Sequence, residues 1–101
     1  MTKDMDTLIR EDARLIILKA LVAQVDERLH SGYLAEELAR FGIDRPREWI
    51  HGELDWLAEM GAVTLIRPGS VVVATLTEKG HRHLRRAIVI DGIKRPSRPG
   101  E

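Results

Sequence analysis

The sequence predicts an α+β domain in which helices come first and a β-hairpin follows. Apolar residues in the first sixty positions recur every three or four residues, as they do along one face of a helix. After Gly61, the segments AVTLIR and SVVVATL are rich in β-branched residues, and the Pro68-Gly69 dipeptide between them is typical of a turn. A chain of 101 residues has room for one hydrophobic core and is too short for two.

The longest helical pattern covers residues 8–29, with Asp6 or Thr7 as its cap. A short extended segment at 32–34 follows. The sequence AEELARFG then predicts a two-turn helix, because Leu34, Leu38 and Phe41 share a helical face and Gly42 suits a left-handed stop. These two helices supply the first part of the predicted core.

A third helix is expected from Pro46 to Met60, with Ile50, Leu54 and Leu57 as its apolar stripe and Trp49 and Trp56 packed beside it. A last helix should run over 78–88 after a Thr77 cap. Residues 89–101 hold two Pro and two Gly, which predicts an extended tail. The expected organisation is a domain at 1–88 and a basic, Pro- and Gly-containing tail at 89–101.

Composition narrows the class of protein. The sequence has no cysteine, which excludes disulfides and thiolate metal sites. The longest aliphatic stretch is too short to span a bilayer, so a soluble, cytoplasmic protein with no membrane contact is expected. Net charge is zero, yet residues 1–61 hold 8 Lys or Arg against 13 Asp or Glu, and residues 62–101 hold 8 against 3. A neutral chain can therefore present a basic surface to a polyanion.

The predicted order of elements is the layout of a winged helix-turn-helix, with a three-helix core, a two-stranded wing and a C-terminal helix. The segments EWIHGELDWLAEMGAV and LTEKGHRHL resemble the third helix and the helix after the wing of bacterial winged-helix regulators. The segment AIVIDGIKRPSRPGE resembles the ending of small proteins of Mu-like bacteriophages and prophages, with their Gly-x-Lys-Arg-Pro motif. The phage resemblance implies a phage or prophage context, and the resemblance to winged-helix regulators implies a transcriptional regulator that binds duplex DNA as a dimer.

Winged helices that bind DNA place the exposed face of the third helix in the major groove. Carried over by position, the residues that would contact bases are Arg45, Arg47, Glu48 and His51. Arginine is well shaped for the guanine edge, and glutamate can accept from the cytosine amino group. The same helix carries four acids that would repel phosphates. These are Glu48, Glu53, Asp55 and Glu59. An amphipathic helix with solvated charges is therefore an equal alternative.

A second set of residues is expected to contact the DNA backbone. It consists of Arg67 in the wing and the basic residues of the last helix and tail, namely Lys79, Arg82, Arg85, Arg86, Lys94 and Arg95. Arg82, Arg85 and Arg86 are spaced to share one helical face, and the tail extends their charge outward. The alternative interpretations are that Arg67 is an ordinary exposed residue of a turn, and that the other basic residues form a solubilising tail or pair with the acidic front half of a partner subunit.

No metal site, cofactor or enzymatic activity is predicted. His81 and His83 lie two positions apart, which points them in different directions on a helix, and the serines have no evident catalytic base. The apolar residues of the segment IVIDGI, at 88–93, suggest a homodimer through the last helix and tail. The alternative to a DNA-binding regulator is a non-enzymatic adaptor whose acidic third helix docks a basic protein during phage development.

Overall fold

The computed structural model describes residues 2–98. Within them, helices and strands follow one another without regular alternation. The α+β class predicted from the sequence is confirmed. The elements are α1 (Met5–Val22), β1 (Arg28–His30), α2 (Ser31–Arg40), α3 (Arg47–Glu59), β2 (Val63–Ile66), β3 (Val73–Leu76) and α4 (Glu78–Leu84). In this part of the chain, no helix is long and apolar enough to cross a membrane.

The three strands form one antiparallel sheet in the order β1-β3-β2. The predicted hairpin is present as β2 and β3, which pair from Val63 opposite Leu76 to Ile66 opposite Val73. Residues 67–72 connect them, and we call this segment the hairpin loop. Strand β1 joins the free edge of β3, with His30 opposite Val73. The order of elements and the sheet topology are compatible with a winged-helix arrangement.

Helix α1 passes through the centre of the core. Its start is capped by Asp4, whose carboxylate accepts from the Thr7 amide at 2.8 Å, and this hydrogen bond lowers the pKa of Asp4. Ala13, Ile17 and Leu18 are fully buried and face the other elements. Helices α2 and α3 and the sheet close around this face with further buried aliphatic residues, which include Leu34, Leu38, Ile50, Leu54, Leu57 and Ala74. The predicted apolar stripe of α3, Ile50, Leu54 and Leu57, therefore lies in the core, where it joins the buried face of α1.

Helix α1 ends earlier than predicted, and the prediction of helix to residue 29 is wrong. Val25 continues the apolar spacing but is fully exposed, so burial does not extend the helix beyond Val22. Glu27 adopts a left-handed conformation with φ 57, and residues 28–30 leave as β1. Helix α2 starts at once at Ser31, because the Nδ1 of His30 accepts from the Gly32 amide at 3.0 Å and caps it. The extended segment expected at 32–34 is therefore the first turn of α2.

Helix α4 ends at Leu84 and not at the predicted Ile88, and Arg86 takes a left-handed φ of 63. Residues 89–98 contain no helix or strand, as predicted, but they pack against the domain. Ile90 and Ile93 are buried in the core, and the Lys94 amide donates to the Glu11 carbonyl at 3.1 Å. We call residues 88–98 the C-terminal segment. Residues 99–101 of the predicted tail lie outside the described residues.

A buried histidine holds the C-terminal segment against α4. The imidazole of His83 is fully buried, and its Nδ1 accepts from the Ile90 amide at 3.1 Å. Its Nε2 lies 3.1 Å from the Lys94 carbonyl and donates to it, because a carbonyl can only accept. These two partners fix one neutral tautomer of the ring. Of the apolar residues on which the predicted dimer contact rested, Ile90 and Ile93 are buried within one chain, whereas Val89 is exposed.

Candidate functional site

The exposed face of α3 is less acidic than the sequence suggests. Arg47, Glu48, Gly52, Asp55 and Glu59 are exposed, but Glu53 is only 2% exposed. The expectation that Glu53 would repel phosphates is wrong, because its carboxylate faces inward toward α1.

Two arginines of α1 neutralise Glu53. Arg10 Nη1 lies 2.5 Å from Glu53 Oε2, and Arg14 Nε lies 2.6 Å from Glu53 Oε1. Arg14 also donates to the Gly92 carbonyl at 2.8 Å, so the ion cluster joins α1, α3 and the C-terminal segment. Hydrogen bonding to Asp6 and the charge of Glu53 both raise the pKa of Arg10, with Asp6 the larger cause.

The two tryptophans of α3 pack beside the core, as predicted, and each also meets an arginine. The Arg14 guanidinium lies 3.8 Å from the Trp56 ring centroid, in cation–π contact. Arg10 and Arg45 lie 5.4 Å and 5.6 Å from the Trp49 ring centroid. Arg10 and Arg45 therefore lie against one half-buried ring at the start of α3.

The hairpin loop is tied to α3 and α2 through residues that the sequence assigned to DNA. Arg67 forms an ion pair with Asp55, which neutralises a second acid of α3. His51 Nε2 lies 3.0 Å from Ser31 Oγ, and that oxygen accepts from the Val72 amide at 3.2 Å. His51 thus connects α3 to the start of α2 and to the hairpin loop.

Most of the C-terminal basic residues have partners within the chain. Lys79 Nζ donates to the Met60 carbonyl at 2.7 Å, at the end of α3. Arg85 pairs with Glu78 at 2.9 Å and lowers the pKa of that carboxyl, and Arg86 donates to the Pro96 carbonyl. Lys94 lies 3.8 Å from Asp12. Arg82 and Arg95 are exposed. Because α4 ends at Leu84, Arg86 is outside the helix, and the predicted shared face of Arg82, Arg85 and Arg86 is not formed.

Some residues of the two predicted DNA-contacting sets lie far apart, at opposite ends of α3. Arg47 begins the helix and Met60 follows its end, so the helical rise separates them by about 20 Å. Lys79 and α4 sit at the Met60 end, whereas Arg45 and Arg47 lie at the other. The structure therefore keeps Arg45 and Arg47 apart from Lys79, whereas Arg67 pairs with Asp55 of α3 itself.

A second surface feature escaped the sequence prediction. A groove of about 640 Å³ lies between α1 and α2 and is closed at one side by residues 94–97. Tyr33 and Phe41 line it and are 55% and 62% exposed. The assignment of Phe41 to the core stripe of the second helix is wrong, because Phe41 follows the end of α2 and faces solvent. We call this feature the α1–α2 groove.

The described residues contain no group of three or more His, Cys, Asp or Glu arranged to hold a metal ion. His81 and His83 point apart: His81 pairs with Glu27 at 2.7 Å, and His83 faces the C-terminal segment.

Comparison with known proteins supports the phage resemblance. No family model and no solved structure matches the chain. The uncharacterized protein gp26 of Escherichia phage Mu is 32% identical to it over 89 residues, which are 88% of this chain and 92% of that protein. Because the similarity covers nearly the full length of both proteins, the chain belongs to the family of the phage Mu protein gp26.

Proposed function

We propose that this phage-family protein is a winged-helix module that binds duplex DNA and acts as a transcriptional regulator. In this proposal α3 enters the major groove and the hairpin loop is the wing. The order of α1, β1, α2, α3 and the β2-β3 hairpin supports it, as does the placement of β3 in the centre of the sheet.

The observation that carries the proposal is the neutralisation of acids on α3. Two of its four carboxylates are neutralised and do not repel DNA phosphates. Glu53 is buried between two arginines, and Asp55 pairs with Arg67. Arg45 and Arg47 remain at the start of the helix, where recognition helices contact base edges. The alternative of an adaptor with an acidic docking helix loses support for the same reason.

Gly52 gives a second reason to place a ligand on this face. It lies in the middle of α3, exposed, and a Cβ built on it meets no atom within 4 Å. A glycine inside a helix costs about 0.5–1 kcal/mol relative to alanine, and nothing in the fold requires one here. Close approach of the α3 backbone to DNA accounts for the missing side chain.

The residues divide into contacting and positioning roles. Arg45 and Arg47 contact base edges or adjacent phosphates, and Glu48 can accept from a cytosine amino group. His51 and Arg67 hold α3 against α2 and the wing through Ser31 and Asp55. Contact of the C-terminal basic residues with DNA remains a separate prediction, because Lys79 lies at the far end of α3 and Lys94 and Arg95 line the α1–α2 groove.

The test is a fluorescence anisotropy titration of random and phage-derived duplexes at two salt concentrations. Replacing Arg45 and Arg47 together by alanine should raise the Kd at least about ten-fold and reduce the salt slope by about 2. The matched control replaces Lys3 and Arg28, which are exposed and belong to neither predicted DNA-contacting set, and should change the Kd less than about two-fold. Absence of binding at low salt, or equal losses in both variants, would overturn the proposal.

A further inference from the structure

We infer that the α1–α2 groove is the contact surface of a homodimer, in which two copies pack these faces around a two-fold axis. The inference does not rest on DNA binding. It rests on where the chain exposes its apolar side chains and on the charges around them.

Exposed apolar residues concentrate on this side of the molecule. Tyr33 and Phe41 line the groove, and Val22 and Val25 flank the groove residues Ala23 and Gln24 in the chain. The chain contains one Tyr and one Phe, and both lie exposed on the same groove. Single exposed apolar residues are ordinary on a surface, but a cluster with aromatic members is typical of an interface.

The surface continues along α1 beyond the groove. A second, smaller hollow is lined by Met5, Leu8 and Ile9, and Met5 and Leu8 are 68% and 45% exposed. Both hollows include Asp12 and Lys94, whose ion pair lies between them. With 18 residues, α1 is about 27 Å long. The combined surface therefore gives two α1 helices room to pack side by side along most of their length. Of the eight large apolar residues exposed in the described part of the chain, four line the two hollows, namely Met5, Leu8, Tyr33 and Phe41. Two more, Val22 and Val25, are chain neighbours of the groove residues Ala23 and Gln24.

The charges of the groove favour a second copy over a small ligand. Seven of its sixteen lining residues are charged, whereas small-molecule sites are mostly apolar. The charged residues have both signs: Lys19, Arg40, Lys94 and Arg95 against Asp12, Glu36 and Glu37. A groove lined by charges of one sign would fit an oppositely charged partner. A groove lined by both signs fits a surface that also carries both signs, as a second copy of this chain does.

A two-fold arrangement makes these charges complementary. Leu15 and Ile16 form part of the groove floor, near its middle along α1. If the two-fold axis passes between Leu15 and Ile16, the α1 helices of the two copies run antiparallel. Lys19 of each copy then lies opposite the partner's Asp12. The same contact is made twice, as isologous interfaces require. The lining residues come from α1, β1, α2 and residues 94–97, so this packing leaves the exposed face of α3 free.

The test is sedimentation equilibrium of the full chain without DNA, from about 1 µM to 1 mM. The expected species is a dimer of twice the 11.4 kDa chain mass. Phe41→Glu should raise the dimer dissociation constant at least about 100-fold, because each substitution acts twice across the axis. Ala23→Glu is the second variant. Its exposed position keeps the fold intact, which circular dichroism checks, and it should weaken the dimer similarly.

Val89→Glu is the matched control, because Val89 is 54% exposed but lies in the C-terminal segment, outside the groove. It should leave the dissociation constant unchanged within about two-fold. A chain that stays monomeric at about 1 mM would overturn the inference, as would a dimer weakened by Val89→Glu and not by Phe41→Glu. Because no DNA is present, failure here is distinguishable from failure of the DNA-binding proposal.

Discussion

The buried carboxylate of Glu53 should contribute much more to stability than an ordinary surface ion pair. Its side chain is 3% exposed, and its partner Arg14 is 11% exposed, so neither group can turn to water when the other is removed. Glu53→Gln keeps the shape of the side chain but leaves the Arg14 charge without its counter-ion. Breaking a buried pair from one side typically costs about 3–5 kcal/mol. That is a large part of the roughly 5–15 kcal/mol that stabilises a domain of this size.

Urea unfolding followed by tryptophan fluorescence measures the loss, since Trp49 and Trp56 lie beside the arginines of the cluster. We expect the free energy of unfolding to fall by about 3–5 kcal/mol. The melting temperature should fall by roughly 12 °C or more. Asp6→Asn is the control, because Asp6 pairs with Arg10 at 2.9 Å but is 65% exposed, and it should cost at most about 1 kcal/mol.

A double variant separates the loss of attraction from the burial of an unpaired charge. Glu53→Leu together with Arg14→Met removes both buried partners and should recover most of the stability lost by Glu53→Gln, because the main cost is the uncompensated guanidinium. Arg10 is 37% exposed and can move toward water. If Glu53→Gln costs no more than Asp6→Asn, the reasoning about burial is refuted.

Two further predictions concern glycine and histidine positions. Gly52→Ala should stabilise the chain by about 0.5–1 kcal/mol in urea unfolding, because its Cβ meets open space, and should weaken DNA binding if α3 approaches DNA there. Gly80→Ala is the matched contrast and should destabilise, because its Cβ would lie 2.5 Å from the Ala62 carbonyl oxygen; equal effects would contradict the steric argument. His83→Ala should cost about 2–4 kcal/mol and speed amide hydrogen exchange at Ile90, because it leaves the Ile90 amide and the Lys94 carbonyl without partners. His81→Ala, which breaks a partly exposed pair with Glu27, should not change that exchange rate.

The sequence predicted the elements that are specified by residues close together in the chain. The hairpin follows from its β-branched residues and the Pro68-Gly69 turn, and α3 follows from the spacing of its buried residues. The end of α1 was missed because Val25 keeps the helical spacing while lying at the surface. Periodicity alone does not reveal which apolar residue lacks a partner in the fold.

The parts of the site that depend on distant contacts could not be predicted in the same way. Glu53 meets Arg10 and Arg14 across 43 and 39 positions of the chain, and no local pattern pairs them. One signal was present: Glu53 lies three positions after Ile50 and one before Leu54, within the buried stripe of α3. An acid inside an apolar stripe predicts a buried partner. The Pro and Gly content of the C-terminal segment predicted its irregular backbone but said nothing about its packing.

The docking of the C-terminal segment sets an order on folding. Arg14 and the Gly92 carbonyl are 78 residues apart, and Ile90 and Ile93 complete the core around α1. Contacts between residues so far apart in the chain form late in folding, because closing a long loop costs conformational entropy. During synthesis, α1 emerges before the C-terminal segment, so part of its apolar face stays uncovered until residue 93 has followed. A chain that stops before Ile90 lacks this cover, and we expect it to aggregate where the full chain stays dispersed, as light scattering would measure.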